Sequence, residues 1–266
     1  LGLFWEDKVV EGLTPAEKHT AVIDIKGVMA AGTPASATEV ITALGKAYED
    51  KNTKGIILRL NTPGGSPVQA GPIRRLREKH KDIPVHAVVA DLCASAGYYV
   101  AVAAEAIHVD KASLIGSIGV RLDAFGFEQA MTDLGVERRL LVAGANKGIL
   151  DPFSPMTEAQ KTFLQGQLDQ LHQQFITAVR EGRGEKLTGG EEIYSGLFWN
   201  GAESLKLGLA DHLGSPESVA RDVIGAEKLV EFTAKKDLLE RLADRMGTAL
   251  ANSLIAVTGL GQPQVR

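Results

Sequence analysis

The feature that most constrains this chain is a succession of short apolar runs, each followed by a glycine-rich turn or a helical pattern. Ala21 to Ile25, Gly55 to Leu60, Val85 to Ala90 and Ala106 to Asp110 read as buried strands. Between them, residues 38–49 carry Val40, Leu44 and Ala47 on one helical face, and a second helix follows residue 66 and ends near His80. Strands alternating with helices predict an α/β fold with a largely parallel sheet. With 44% hydrophobic and 23% charged residues in 266, an ordinary globular core can form.

Further along, residues 125–134 look helical and Arg138 to Ala143 strand-like. The longest helix is predicted to start near Thr157, where Thr157 and Gln160 match a capping box. Phe163, Leu164, Leu168, Leu171, Phe175, Ile176 and Val179 give it an apolar stripe. Helices are expected over 202–208 and 216–224, a short strand over 228–232, and an amphipathic helix over 236–256. The division expected is an arm over 1–19, one domain over 20–225 and a helical extension over 226–266.

The net charge of −4 gives no basic footprint for nucleic acid. The single cysteine, Cys93, excludes an intrachain disulfide and a multi-cysteine metal site. No run of 18 apolar residues is present to span a membrane. The opening Leu1-Gly2-Leu3-Phe4-Trp5 fits the cut end of a longer precursor and an arbitrary boundary equally well.

Three segments carry candidate chemistry. Asn61-Thr62-Pro63-Gly64-Gly65-Ser66 follows a strand directly, and its glycines leave backbone N–H groups open to a ligand. Such a turn can supply an oxyanion donor, or it is simply a tight strand-to-helix turn. Ala94-Ser95-Ala96-Gly97-Tyr98-Tyr99 places Ser95 at a strand-to-helix junction, near the positive end of a helix dipole, with a small-residue helix expected to run on to about Ala104. Ser95 reads either as a nucleophile, with the Ala96 amide as an oxyanion donor, or as an ordinary N-cap. In Leu114-Ile115-Gly116-Ser117-Ile118-Gly119-Val120, Ser117 either orients a base or is a buried serine satisfied by backbone.

A nucleophilic serine needs a base. His19, His80, His86, His108, His172 and His212 fall in no motif that suggests catalysis. Lys147, in Gly144-Ala145-Asn146-Lys147-Gly148 at the end of the strand expected over 138–143, is the remaining candidate. An amine there acts as a base only if burial lowers its pKa from about 10.4 toward neutrality. An exposed loop lysine is the plainer reading.

The order of these pieces resembles the signal peptide peptidase A family of Ser-Lys peptidases. The matching pieces are the Asn-x-Pro-Gly-Gly-Ser turn, the Ala-Ser-small-Gly-Tyr-Tyr segment, Gly-Ser-Ile-Gly-Val, and a lysine before Asp151-Pro152-Phe153-Ser154-Pro155. Phe198-Trp199-Asn200-Gly201 and Leu207-Gly208-Leu209-Ala210-Asp211 complete the likeness, which runs from about residue 20 to 225. The resemblance implies a Clp/crotonase fold, a spiral of βαβ units, with Ser95 as nucleophile, Lys147 as base and Ser117 as its orienting partner. It implies oxyanion donors on the Gly64/Gly65 turn and Ala96, no cofactor and no metal. It further implies a homo-oligomeric ring with sites completed at subunit interfaces. An extracytoplasmic location is implied too, with a membrane anchor in an N-terminal segment of the full-length protein, and residual signal peptides as substrates. Two positions depart from the pattern. Ala96 stands where glycine is more usual but keeps its N–H. The helix after Gly65, reading Gln69-Ala70-Gly71-Pro72-Ile73-Arg74, looks a few residues short, as if a segment were missing near Gly71.

Three other readings compete: an acyl-CoA enzyme of the crotonase type, a non-catalytic ring scaffold, and Cys93 as the nucleophile.

Overall fold

The computed structural model describes residues 17–233. The strands are β1 (His19–Lys26), β2 (Thr53–Thr62), β3 (Val85–Ala94), β4 (Ala106–Val109), β5 (Leu114–Gly116), β6 (Phe198–Asn200), β7 (His212–Leu213) and β8 (Leu229–Glu231). The helices are α1 (Ala37–Glu49), α2 (Pro67–Lys79), α3 (Ala96–Ala101), α4 (Glu128–Asp133), α5 (Glu158–Arg183), α6 (Gly201–Lys206) and the single turn α7 (Pro216–Ser218). The order β6-β5-β3-β2-β1-β8 is parallel except at β5–β6. This is the α/β fold of Clp/crotonase type that the alternation and the resemblance implied.

Strands 1 to 3 are buried on both faces, which is why they read as unbroken apolar runs. Ala21, Ile23 and Ile25 enter the main core with Leu44, Ile56, Leu58, Leu60 and Ile73. Val22, Ile57 and Val88 enter a second, smaller cluster on the other face, with Val219 and Ala220. Each fully buried side chain of this kind contributes about 1.5–3 kcal/mol.

The sheet divides along β3. Its first half pairs with β4 (His86↔Ala106, Val88↔His108) and its second half with β5 (Leu92↔Leu114, Ala94↔Gly116). The pairing of β3 with β2 shifts between Leu60 and Thr62, so β3 bends where the partner changes. One branch continues from β4 to β7 and the other from β5 to β6.

Helix α5 begins as its sequence predicts, with both bonds of the Thr157–Gln160 capping box formed. Its C-terminal half packs on α3, and Gly182 makes this possible because any Cβ there would meet the Val102 carbonyl. Arg183, 1% exposed at its side chain, pairs with Asp211 at 2.7 Å and donates to the Gly208 carbonyl. Burial alone would raise the Asp211 pKa. The bonds from Arg183, Lys186 and the Ile107 amide instead hold the carboxyl well below its usual range.

Four expectations need correction. Residues 138–143 form no strand: all six are exposed, and they pair with no strand among the described residues. The apolar stripe of α5 is buried only at Phe175, Ile176 and Val179, while Phe163 and Leu171 stay exposed. The segment read as a helix over 216–224 is one α turn followed by a π-helical turn, Val219–Ile224. The helix expected from Ala96 to about Ala104 stops at Ala101. Helix α2 runs through Gly71 and Pro72 without a break. The sheet takes in β8, beyond the boundary placed at residue 225. The arm before residue 17 and the helix expected over 236–256 lie outside the described residues.

Two buried histidines make the fold sensitive to acid. The His108 Nε2 lies 3.3 Å from the His86 Nδ1, and the rings sit at the start of the β3–β4 branch. Burial, with His86 and His212 nearby, pushes His108 down to about 4, and burial lowers His86 as well. In the unfolded chain both titrate near 6.5. Between those values the unfolded state takes up protons that the folded state refuses. The stabilisation is therefore complete above about pH 6.5 and is lost as pH falls toward 4. Thermal unfolding should show a loss of up to about 3 kcal/mol across this window, much reduced in His108→Gln. A midpoint unchanged from pH 7 to 4.5 would contradict this.

Candidate active site

Strands β2 and β3 are parallel neighbours, so the turns at their C-terminal ends emerge side by side. In parallel α/β sheets this is where ligands are bound. The turn after β2 contains Gly64 at φ 93° and Gly65 at φ 144°, and the turn after β3 is Ser95 itself. A Cβ on Gly64 would lie 2.7 Å from the Ala94 carbonyl oxygen and 2.8 Å from both the Ala96 nitrogen and the Ser95 Cβ. Only glycine permits that approach.

Ser95 is not an ordinary N-cap. A capping residue takes an extended backbone and turns its hydroxyl back onto the helix. Ser95 has φ 53° and ψ −123°, and its side chain makes no capping bond. The Ser95 N–H donates to the Gly116 carbonyl at 2.9 Å and its own carbonyl accepts from Tyr99. The sharp turn is thus pinned on both sides, while the hydroxyl of this half-buried residue has no hydrogen-bond partner among the described residues. Such strain gathers at functional positions, and a nucleophile on a strained strand-to-helix turn is a recurring device.

The oxyanion donors divide unevenly. The Gly64 N–H donates to the Thr62 Oγ1 at 3.0 Å. The Gly65 and Ala96 amides have no acceptor among the described residues, and the Ala96 nitrogen lies beside Gly64 at the close approach of the two turns. Of the two glycines named from the sequence, Gly65 is therefore the donor available to a ligand, and Gly64 serves the close approach. Thr62 has no motif of its own in the sequence; its one signal is a hydroxyl just ahead of Pro-Gly-Gly at the end of a buried strand.

Ser117 comes to the same end of the sheet. It also has a positive φ, 52°, and its N–H donates to the Leu197 carbonyl at 2.6 Å. The Phe198-Trp199-Asn200 strand holds this segment: Ile115 pairs with Trp199, whose ring lies against Gly116. The structure thus gathers Ser95, Ala96, Gly64, Gly65 and Ser117.

Lys147 is not gathered with them. It stands exposed in a run of turns over 144–150, not at the end of a strand, and no hydrogen bond joins it to Ser95 or Ser117 among the described residues. The segment around it is organised locally. Asp151 pairs with Arg138 at 3.1 Å and accepts from Ser154, while Phe127 packs on Phe153. Around this, Phe125, Leu134 and Leu141 are 76%, 79% and 96% exposed.

Other bases and nucleophiles are placed elsewhere. His86, His108 and His212 line the other branch of the sheet, His19 pairs with Asp50, and His80 stacks on Tyr48. His172 lies beside the Ser117 segment, but its Nε2 contacts the Ile118 carbonyl at 3.1 Å and so must carry the hydrogen. Cys93 is fully buried, and burial pushes its thiol up, away from the reactive thiolate. Among the described residues no cluster of three or more potential ligands could hold a metal, and no helix is long and apolar enough to cross a membrane.

Residues 77–248 match the sequence model of peptidase family S49. The chain belongs to that family. It is 36% identical over 241 residues to a protein of Brucella abortus named as the Na(+)/H(+) antiporter NhaA, covering 87% of this chain and 33% of that one. It is 33% identical over 182 residues to a putative protease of Methanocaldococcus jannaschii, covering 68% of this chain and 58% of that one. A putative signal peptide peptidase SppA of Enterococcus faecium is 28% identical over 225 residues, covering 83% of this chain and 64% of that one. The chain thus spans from a third to just under two thirds of the length of these relatives. The family shown is the signal peptide peptidase A family that the order of motifs resembled. The family's description is that of a peptidase, not of an acyl-CoA enzyme.

The close approach at Gly64 gives a direct check. Gly64→Ala should lower peptidase turnover about 10²- to 10³-fold, the scale of losing an oxyanion donor. Circular dichroism should show the fold retained. A Gly64→Ala protein turning over within threefold of the parent would show that the two turns need not meet.

Proposed function

We propose that this chain is an endopeptidase acting through a Ser95–Lys147 dyad and an acyl-enzyme. The observation that carries the reading is the Ser95 turn: strained, pinned by its neighbours and abutted by the Gly64–Gly65 turn, with no partner for the hydroxyl or for the Gly65 and Ala96 amides among the described residues. In the first step the Ser95 Oγ attacks a peptide carbonyl, and its proton passes to the Lys147 amine. The Gly65 and Ala96 N–H groups bind the oxygen that becomes negative. Collapse of the tetrahedral intermediate expels the amine product, which takes the proton back from Lys147, and leaves an ester on Ser95. Water, deprotonated by Lys147, then attacks the ester carbonyl; the acyl C–O bond to Ser95 breaks, Lys147 returns the proton to the Ser95 Oγ, and the acid product leaves. Ser117 accepts or donates one hydrogen bond that holds the amine in line.

Only a neutral amine can take the serine proton, so the reading requires Lys147 to be shielded from water. In the single chain it is exposed, and so are the large apolar side chains around it. Both facts favour a ring in which a neighbouring subunit covers the 121–153 segment. Substrate would enter as an extended apolar peptide with small residues beside the cut, because the residues flanking Ser95 are themselves small. Residual signal peptides, met at an extracytoplasmic membrane surface, are the natural source that the family suggests.

Ser95→Ala and Lys147→Ala should each abolish turnover of such a peptide. Lys147→Arg should be nearly inactive too, since a guanidinium stays protonated. Sedimentation at micromolar concentration should show an oligomer. Near-parental turnover in Lys147→Arg would end the dyad, and a monomer with full activity would end the ring.

A further inference from the structure

The two halves of the site are joined by one side chain that the mechanism above does not use. Thr62 is the last residue of β2 and is fully buried. Its hydroxyl donates to the Gly27 carbonyl at 2.6 Å and accepts from the Gly64 N–H at 3.0 Å. Its methyl points the other way, into α3. A Cβ on Gly97 would lie 2.5 Å from the Thr62 Cγ2, so the methyl occupies the space that glycine leaves. Thr62 therefore touches the Gly64–Gly65 turn through oxygen and the helix after Ser95 through carbon.

Two bonds hold the peptide planes on either side of Gly64. The Thr62 hydroxyl holds the N–H of the Pro63–Gly64 plane, and the Met29 N–H holds the carbonyl of the Gly64–Gly65 plane at 2.8 Å. The Met29 carbonyl in turn accepts from Ser66. In a trans peptide the C=O and the following N–H point in opposite directions. Once the Gly64 carbonyl faces Met29, the Gly65 N–H must face away from it. That N–H is the donor of this turn without an acceptor among the described residues. Gly27 and Met29 belong to the same short connection after β1, so both anchors come from one rigid piece of backbone. Neither glycine has a side chain to resist rotation, and the orientation must be imposed from outside.

We propose that Thr62 is a positioning residue for the oxyanion hole: its hydroxyl, held by the Gly27 carbonyl, fixes the plane before Gly64, and with the Met29 bond fixing the plane after it the Gly64 torsions are set and the Gly65 N–H is aimed at the oxygen that becomes negative. The proposal rests on Ser95 being the nucleophile. A donor misplaced by a fraction of an ångström loses little ground-state binding and much transition-state binding. The hydroxyl therefore acts on kcat, and the methyl acts on packing.

The test compares Thr62→Val, which keeps the methyl and loses the hydroxyl, with Thr62→Ser, which does the reverse. Both are assayed for kcat, KM and thermal midpoint on an apolar peptide ester, with Ser95→Ala as the reference. Thr62→Val is expected to lose about 10- to 100-fold in kcat with KM within threefold. It should also lose affinity for a peptide aldehyde, which forms the oxyanion, by a similar factor. Thr62→Ser is expected to keep kcat within about threefold while its midpoint falls. A folded Thr62→Val with parental kcat would overturn the proposal. So would a Thr62→Ser that loses as much kcat as Thr62→Val, because the methyl would then be what matters. Should Thr62→Val not fold, the Thr62→Ser kcat alone decides, against the same threefold limit. Parental activity in Ser95→Ala would instead show that the nucleophile was misassigned.

Discussion

Everything at the candidate site depends on two backbone turns approaching closer than any side chain would allow. Gly64 abuts Ala94, Ser95 and Ala96 with no room for a Cβ. The approach is possible because β2 and β3 are adjacent and parallel and end at the same level. It is kept in place by bonds from outside: Met29 to Gly64 and Ser66, Thr62 to Gly64, and Gly116 to Ser95. Small residues are required on both sides, and this explains why Gly64, Gly65, Ala94, Ala96 and Gly97 cluster in two short segments. Each is a spatial requirement first and a chemical one second.

The division of the sheet along β3 separates structure from chemistry. The β4–β7 branch carries the buried histidines and the Arg183–Asp211 pair, which ties α5 to the sheet. The β5–β6 branch leads to Ser117 and lies against the strained serine. Motifs read together in the sequence thus do different work. Phe198-Trp199-Asn200 builds the strand that supports the Ser117 segment. Leu207-Gly208-Leu209-Ala210-Asp211 supplies a buried carboxylate, and an unpaired Arg183 beside it would be strongly destabilising.

Much of this was legible without coordinates, for physical reasons. Strands buried on both faces announce themselves as apolar runs, and the turns after them must be glycine-rich. The capping box of α5 is local chemistry and formed as written. The misses fall where a partner decides the outcome. Arg138 to Ala143 has strand-forming residues but pairs with no strand among the described residues. Phe163 and Leu171 continue a helical stripe that the other described residues leave exposed. A sequence cannot say whether an apolar face meets its own domain or another subunit. The strain at Ser95 was equally hidden, because a serine before a helix looks the same whether or not it caps. Thr62 was overlooked since a strand threonine carries no motif until its hydrogen bonds are seen.

The central claim is that the strained Ser95 hydroxyl is the nucleophile. Labelling the folded protein with a fluorophosphonate and mapping the adduct by tandem mass spectrometry tests it most directly. A single stoichiometric adduct on Ser95 is expected, formed by the folded protein and not after denaturation. An adduct on another serine, or full peptidase activity with Ser95 left unmodified by the reagent, would contradict it.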